Sequence, residues 1–285
     1  MSFDEPDISW TRIAEPQEDQ YDSFVAIELA RKNGYIRAPI GDALTAFDGK
    51  VAIRDDIAFL EPNCVPAQHD HHNIEKACAL IRLWPAAFTQ MQLLVESISV
   101  FMDTRFDMYE NSIGSISCHG DKGFGWIAAT VNSAEGLAQA MVHEMAHNKL
   151  RALGVDLESA ERIILNPPDE KFKSPIRYDC LRPMPAVIHA QYSFIYVAAL
   201  GIEIIKATQN KEMSCLIAER ALAAKLPKLK FGLEIIEKNA KIDHAGAGFL
   251  EGLFRWLDRV FDDGYHILNE SQILPQTFTH PLNSA

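Results

Sequence analysis

The chain has 285 residues, of which 48% are apolar and 23% charged, the composition of a globular protein that can bury a sizeable core. Its formal net charge of −12 argues against a nucleic-acid partner, whose recognition needs a basic surface, and leaves cationic or neutral partners open. Five cysteines (Cys64, Cys78, Cys118, Cys180, Cys215) with no C-x-x-C pair read as reduced thiols rather than a disulfide framework.

The first seven residues are acidic and lack the apolar core of a signal peptide, and the run Tyr192 to Ile205 is short for a membrane span. A cytoplasmic protein without a membrane partner is expected. Residues 1–20 read as a flexible arm ahead of a single domain over 21–285, mainly α and bundle-like. Apolar spacing predicts a helix from Tyr21 to Lys32, stopped near Gly34. Residues 35–62 read as irregular or weakly stranded, and Asn73 to Met102 as helical in two pieces broken at Pro85.

The segments Ile113 to Cys118 and Phe124 to Val131 flank a turn-like His119-Gly-Asp-Lys-Gly123 and predict a small β-hairpin. Ser133 is a good N-cap for the next helix, expected over Ala134 to Leu153 and closed by Gly154. A short helix over Leu157 to Leu165 and a long loop from Asn166 to about Pro183 come next. Further helices are predicted near 185–208, 211–225, 229–241 and 247–262, with Pro227 separating the second from the third.

The helix after the hairpin carries His143-Glu144-Met-Ala-His147, the His-Glu-x-x-His pattern. Histidines four apart project from one helix face, so both imidazoles can reach one metal ion. In a zinc peptidase a third residue would complete the site and Glu144 would activate the bound water. The position six residues after His147 is Leu153, not the histidine of the metzincin pattern. Glu158 or Glu161 could serve instead, but their surroundings lack the Asn-Glu-x-x-x-Asp pattern of thermolysin-like enzymes.

A second reading takes His189 as the third ligand. Three imidazoles with open positions suit iron(II) or zinc. For iron, the open positions could hold a bidentate 2-oxo acid and dioxygen. Arg177 and Arg182 lie in the loop that leads to His189, and a guanidinium fork suits recognition of the far carboxylate of such a cosubstrate.

The motif helix occurs together with Ser174-Pro-Ile-Arg177 and Asp179-Cys-Leu-Arg182-Pro, which lead to Val187-Ile-His189-Ala-Gln-Tyr-Ser-Phe194. The pair resembles the HExxH-type peptide-modifying proteins found with ribosomally made natural products, over roughly residues 112–200. The resemblance implies an iron(II)- and 2-oxoglutarate-dependent β-hydroxylase that uses O2 and acts on a precursor peptide. His143, His147 and His189 would be the metal ligands, and Arg182 would anchor the cosubstrate carboxylate, with Arg177 as the alternative. Glu144 is then not needed as a water-activating base, and the resemblance gives it no other role. The chain departs from the pattern at Asp179-Cys-Leu-Arg182, which has one residue more than the usual Asp-Pro-Arg, and at Ala190, where a glycine is usual.

Other patterns have plainer readings. His119-Gly-Asp121 spells the His-x-Asp of double-stranded β-helix oxygenases, but the chain lacks the many alternating strands of that fold, so a turn is expected. His69-Asp-His71-His72 reads as a loop and cap before a helix, and His244, His266 and His280 have no partner motif. Tyr192, Phe194 and Tyr196 read as core or pocket wall, with Tyr192 one turn from His189.

Overall fold

The fold is that of a computed structural model that describes residues 8–37, 40, 43–54, 63–68, 70–104, 115–117, 123–177, 179–208 and 213–280. The chain is mainly α-helical, with eight helices and two sheets among the described residues. Its contacts group it into two compact units, residues 16–152 and residues 1–15 with 153–285.

In the unit of residues 16–152, helix α2 covers Tyr21–Lys32, as the apolar spacing predicts. The sheet strands are β1 (Thr45–Ala46), β2 (Val51–Arg54), β3 (Cys64–Pro66), β4 (Ser97–Asp103), β5 (Ser115–Ser117) and β6 (Trp126–Thr130). Their order is β1-β2-β4-β6-β5, with β3 paired to the C-terminal half of β4. The pairs β2–β4 and β4–β6 are parallel, and the edge pairs β1–β2 and β5–β6 are antiparallel. The hairpin expected before the motif helix is therefore one end of a larger mixed sheet. Its turn residues His119 and Asp121 lie outside the described residues.

Helix α3 (His72–Arg82) and helix α4 (Pro85–Leu94) divide where expected, and Pro85 opens α4 at a position where a missing N–H costs nothing. The helical reading stops short of Met102. Val95 turns the chain extended, and Ser97–Asp103 pairs with β2, β3 and β6, so ladder bonds and the β-branched Ile98 and Val100 override the helical spacing. Every residue of β6 is buried, and the strand lies inside the sheet between its parallel neighbour β4 and its antiparallel neighbour β5. Helix α5 (Ala134–Ala152) packs on β5 and β6 and against α2, α3 and α4.

In the other unit, residues 8–15, expected in a flexible arm, are folded. Trp10–Ile13 forms the short helix α1, Ile13 is wholly buried, and α1 packs on the last helix. The predicted helix over Leu157 to Leu165 is not formed. Val155 bridges to Ala160 and Ile164 to Ile242, while Ile163 adopts φ 72° and gives its N–H to Asp243 Oδ2 at 2.9 Å. Ile242 and Asp243 lie far along the chain, so local spacing could not reveal them. The loop that follows is closed by the pairing of β7 (Lys171–Phe172) with β8 (Arg182–Pro183).

Three long helices form the core of this unit: α6 (Met184–Ala207), α7 (Met213–Asn239) and α8 (His244–Glu270). Tyr192, Tyr196, Phe249 and Trp256 cluster between α6 and α8, with ring centroids 5.1 to 6.2 Å apart in four pairs. Tyr192 is therefore core. Helix α6 is long and apolar enough to cross a membrane by length and composition alone, longer than the run read from the sequence, and it is mostly buried.

Helix α7 runs through Pro227, which the sequence predicts to be a break. Proline supplies no N–H to the carbonyl of Ala223, four residues earlier. That carbonyl accepts the backbone N–H of Gln276 at 3.0 Å instead, so the segment after α8 satisfies the group that would otherwise interrupt the helix.

Candidate metal centre

Ser133 caps α5 as expected, its Oγ accepting the N–H of Gly136 at 2.9 Å. At the far end Gly154 takes a φ of 86°, a left-handed conformation that stops the helix. From Gly136 to Ala152 every residue is buried except His143 and His147. A helix buried all round is a core element, and from Gly136 onward this one opens only at the two imidazoles.

The Nε2 atoms of His143 and His147 are 3.0 Å apart, and the rings stand edge to face with centroids 4.6 Å apart. Two imidazole nitrogens at this separation can both lie about 2.1 Å from a single zinc or iron-sized ion. Both Nε2 lone pairs are available to one ion only when each neutral ring carries its proton on Nδ1. Glu144 is buried at 4% exposure, and its Oε1 is 3.9 Å from His143 Nε2. One donor atom from each of these three residues falls within 4.8 Å of the others. The donor set that α5 brings together, two imidazoles and a carboxylate, fits a divalent transition metal.

The remaining predicted residues lie in the unit that contains 153–285. His189, in α6, is wholly buried, and its Nε2 is 2.8 Å from the carbonyl oxygen of Val155. Arg177 is exposed and its fork is filled by Asp179, with Nε to Oδ1 at 3.0 Å and Nη2 to Oδ2 at 2.8 Å. This pairing holds the Asp179 carboxyl down at about 2. Arg182 is more enclosed, and its Nη2 donates to Glu158 Oε1 at 3.1 Å. Glu158, a candidate zinc ligand in the sequence, is thus a mostly exposed partner of Arg182.

His71 is the N-cap of α3, its Nδ1 accepting the N–H of Asn73 at 3.3 Å. His72 stacks on His71, and His69 lies outside the described residues. His266 is exposed beside Glu270, and the ring of His280 stacks on Phe231.

No motif marks the two residues after His147, yet both are held by buried polar contacts. Asn148 Oδ1 accepts the N–H of Gly125 at 3.3 Å, and its Nδ2 donates to the carbonyls of Trp126 and Glu144, each at 3.3 Å. Lys149 is wholly buried and its Nζ is 2.5 Å from Asp22 Oδ2 on α2. A polar pair inside a helix of the core is the available signal, but its partner Asp22, 127 residues away, gives none. No protein-family model matches the sequence, and no curated protein matches it.

Proposed function

We propose that the protein is an iron(II)- and 2-oxoglutarate-dependent oxygenase that hydroxylates a side-chain carbon of a peptide, such as a ribosomally made precursor. The observation that carries the metal is the convergence of His143 and His147, with Nε2 atoms 3.0 Å apart where an otherwise buried helix opens. The choice of oxygen chemistry rests on the segment 174–194, whose paired arginines and histidine a peptidase reading leaves without a use. The assignment of His189 as third ligand, and of Arg182 or Arg177 as the cosubstrate anchor, rests on that sequence resemblance alone.

Iron(II) with 2-oxoglutarate and dioxygen supplies hydroxylation of an unactivated carbon, with release of succinate. The chain's own contribution is to hold two imidazoles at a fixed separation on a helix that is otherwise buried from Gly136 to Ala152. Glu144 places a buried carboxylate beside the pair, where it can accept a hydrogen bond or balance the charge of an ion.

The same placement favours a second reading, a zinc hydrolase in which Glu144 is the general base. The test is to supply the protein with iron(II), 2-oxoglutarate and candidate peptides without oxygen, then with it. Oxygen-dependent succinate, matched by one added oxygen atom in the peptide, is the expected result. Retained zinc, peptide cleavage and no succinate with any candidate would overturn the oxygenase in favour of the hydrolase.

A further inference from the structure

Helix α5 is buried on nearly every side, and its apolar packing alone specifies its rotation weakly, because one buried aliphatic residue can replace another. Two side chains next to His147 do specify it. At 3.6 residues per turn, Asn148 lies about 120° to one side of the midpoint of the His143–His147 face, and Lys149 about 140° to the other. Asn148 fastens one flank to the entry of β6 through Gly125 and Trp126. Lys149 fastens the other flank to Asp22 on α2, both side chains being wholly inaccessible.

The Asp22 carboxylate is itself fixed from several directions. Its Oδ1 accepts the N–H of Gln17 at 3.0 Å, and its Oδ2 accepts from Gln90 Nε2 as well as Lys149. Gln90 Nε2 also donates to Ser23 Oγ at 3.1 Å. A buried ion pair is a poor source of stability compared with an apolar pair of the same volume, but it tolerates only one register of its two elements. Turning α5 by one residue, about 100°, would break both anchors.

We propose that the Lys149–Asp22 pair, together with Asn148, sets the rotation of α5 and thereby aims His143 and His147 at a common ion. These three are positioning residues. The inference depends on the reading of the two histidines as metal ligands.

The experiment compares wild type, the double variant Asp22→Leu/Lys149→Met, and His143→Ala. Each is followed by thermal melting and by cobalt(II) titration with the visible absorption of the bound ion recorded. Replacing both charges by apolar side chains leaves no buried charge unpaired, but it takes the acceptor from the Gln17 N–H and Gln90 Nε2, so the double variant is expected to fold and to melt below wild type. Its cobalt(II) affinity is expected to fall about 10–100-fold, with an altered absorption spectrum. A folded double variant with wild-type affinity and spectrum would overturn the proposal and leave the pair a structural contact only. If the double variant does not fold, Asn148→Ala, which buries no charge, is judged by the same two outcomes. Wild type that binds no cobalt(II), or binds it unchanged in His143→Ala, would sink the metal reading itself and the aim inferred from it.

Discussion

The buried ring of His189 donates its Nε2–H to the carbonyl oxygen of Val155 at 2.8 Å. A carbonyl only accepts, so a proton sits on Nε2, and Nδ1 is the nitrogen that would act as acceptor in a neutral ring. A ligating histidine is fixed in the same way through its second N–H, and so is a histidine that only secures a turn. Nitrogen-15 spectra should show the Nε2–H form. His189→Ala should cost about 1–3 kcal/mol in chemical denaturation by orphaning the Val155 carbonyl. Unchanged metal affinity in that variant would end the assignment of His189 as a ligand.

Glu144 distinguishes the two reactions. A general base contributes about 10²–10⁴-fold, so Glu144→Gln should remove hydrolysis by that factor if the protein is a peptidase. In the oxygenase the same change should leave peptide hydroxylation within about tenfold of wild type, well short of the loss of a general base. His143→Ala and His147→Ala should each abolish stoichiometric metal binding, measured by elemental analysis of the folded protein.

The Arg177–Asp179 pair gives a pH signature. Side-chain hydrogen bonds from Arg177, followed by a backbone N–H, hold the Asp179 carboxyl down at about 2. The depressed value means that the interaction is complete above the unfolded carboxylate pKa of about 3.9 and is lost as pH falls through about 2. An NMR titration of Asp179 should find the low midpoint, and Arg177→Gln should move it up towards about 3.9. If Arg177 anchors a 2-oxo acid, Asp179→Asn should tighten 2-oxoglutarate binding by removing the competing carboxylate. If Arg182 does, Glu158→Gln should tighten it instead.

Lys225 on α7 has its ammonium lowered to about 8, by desolvation first and the charge of Lys228 second. The Phe194 ring centroid lies 5.9 Å from its Nζ. Between about 8 and the unfolded value of about 10.4 the folded chain binds fewer protons, so stability from this group rises with pH across that window. Below about 8 the full penalty is present. Lys225→Met should raise the melting temperature at neutral pH and flatten the profile between pH 8 and about 10 relative to wild type. An identical profile in the variant would refute it.

The carbonyl of Ala223 tests the passage of α7 through Pro227. Gln276→Pro removes its only backbone N–H and should destabilise the protein by about 1–3 kcal/mol through an unsatisfied buried carbonyl. In a Pro227→Ala background residue 227 can donate to Ala223 itself, and the same change should cost less. Equal costs in both backgrounds, from urea midpoints, would show that the Gln276 bond is not what accommodates the proline.

Local chemistry alone determined much of this protein. The periodicity from Tyr21 to Lys32, the Ser133 cap, the Gly154 stop and the i, i+4 spacing of His143 and His147 act within a few residues, and the structure follows them. Tertiary contacts decided the rest. Ser97–Asp103 became a central strand because partners on both sides supplied its ladder. Leu157–Leu165 lost its helix to bonds with Lys241–Asp243, and Pro227 stayed inside a helix because Gln276, far along the chain, supplies a donor to the Ala223 carbonyl. Neither the burial of α5 around two open imidazoles nor the Lys149–Asp22 anchor is legible in the sequence, because each depends on groups brought together only when the chain packs. The sequence placed two histidines on one helix face, and packing left that face as the opening in α5.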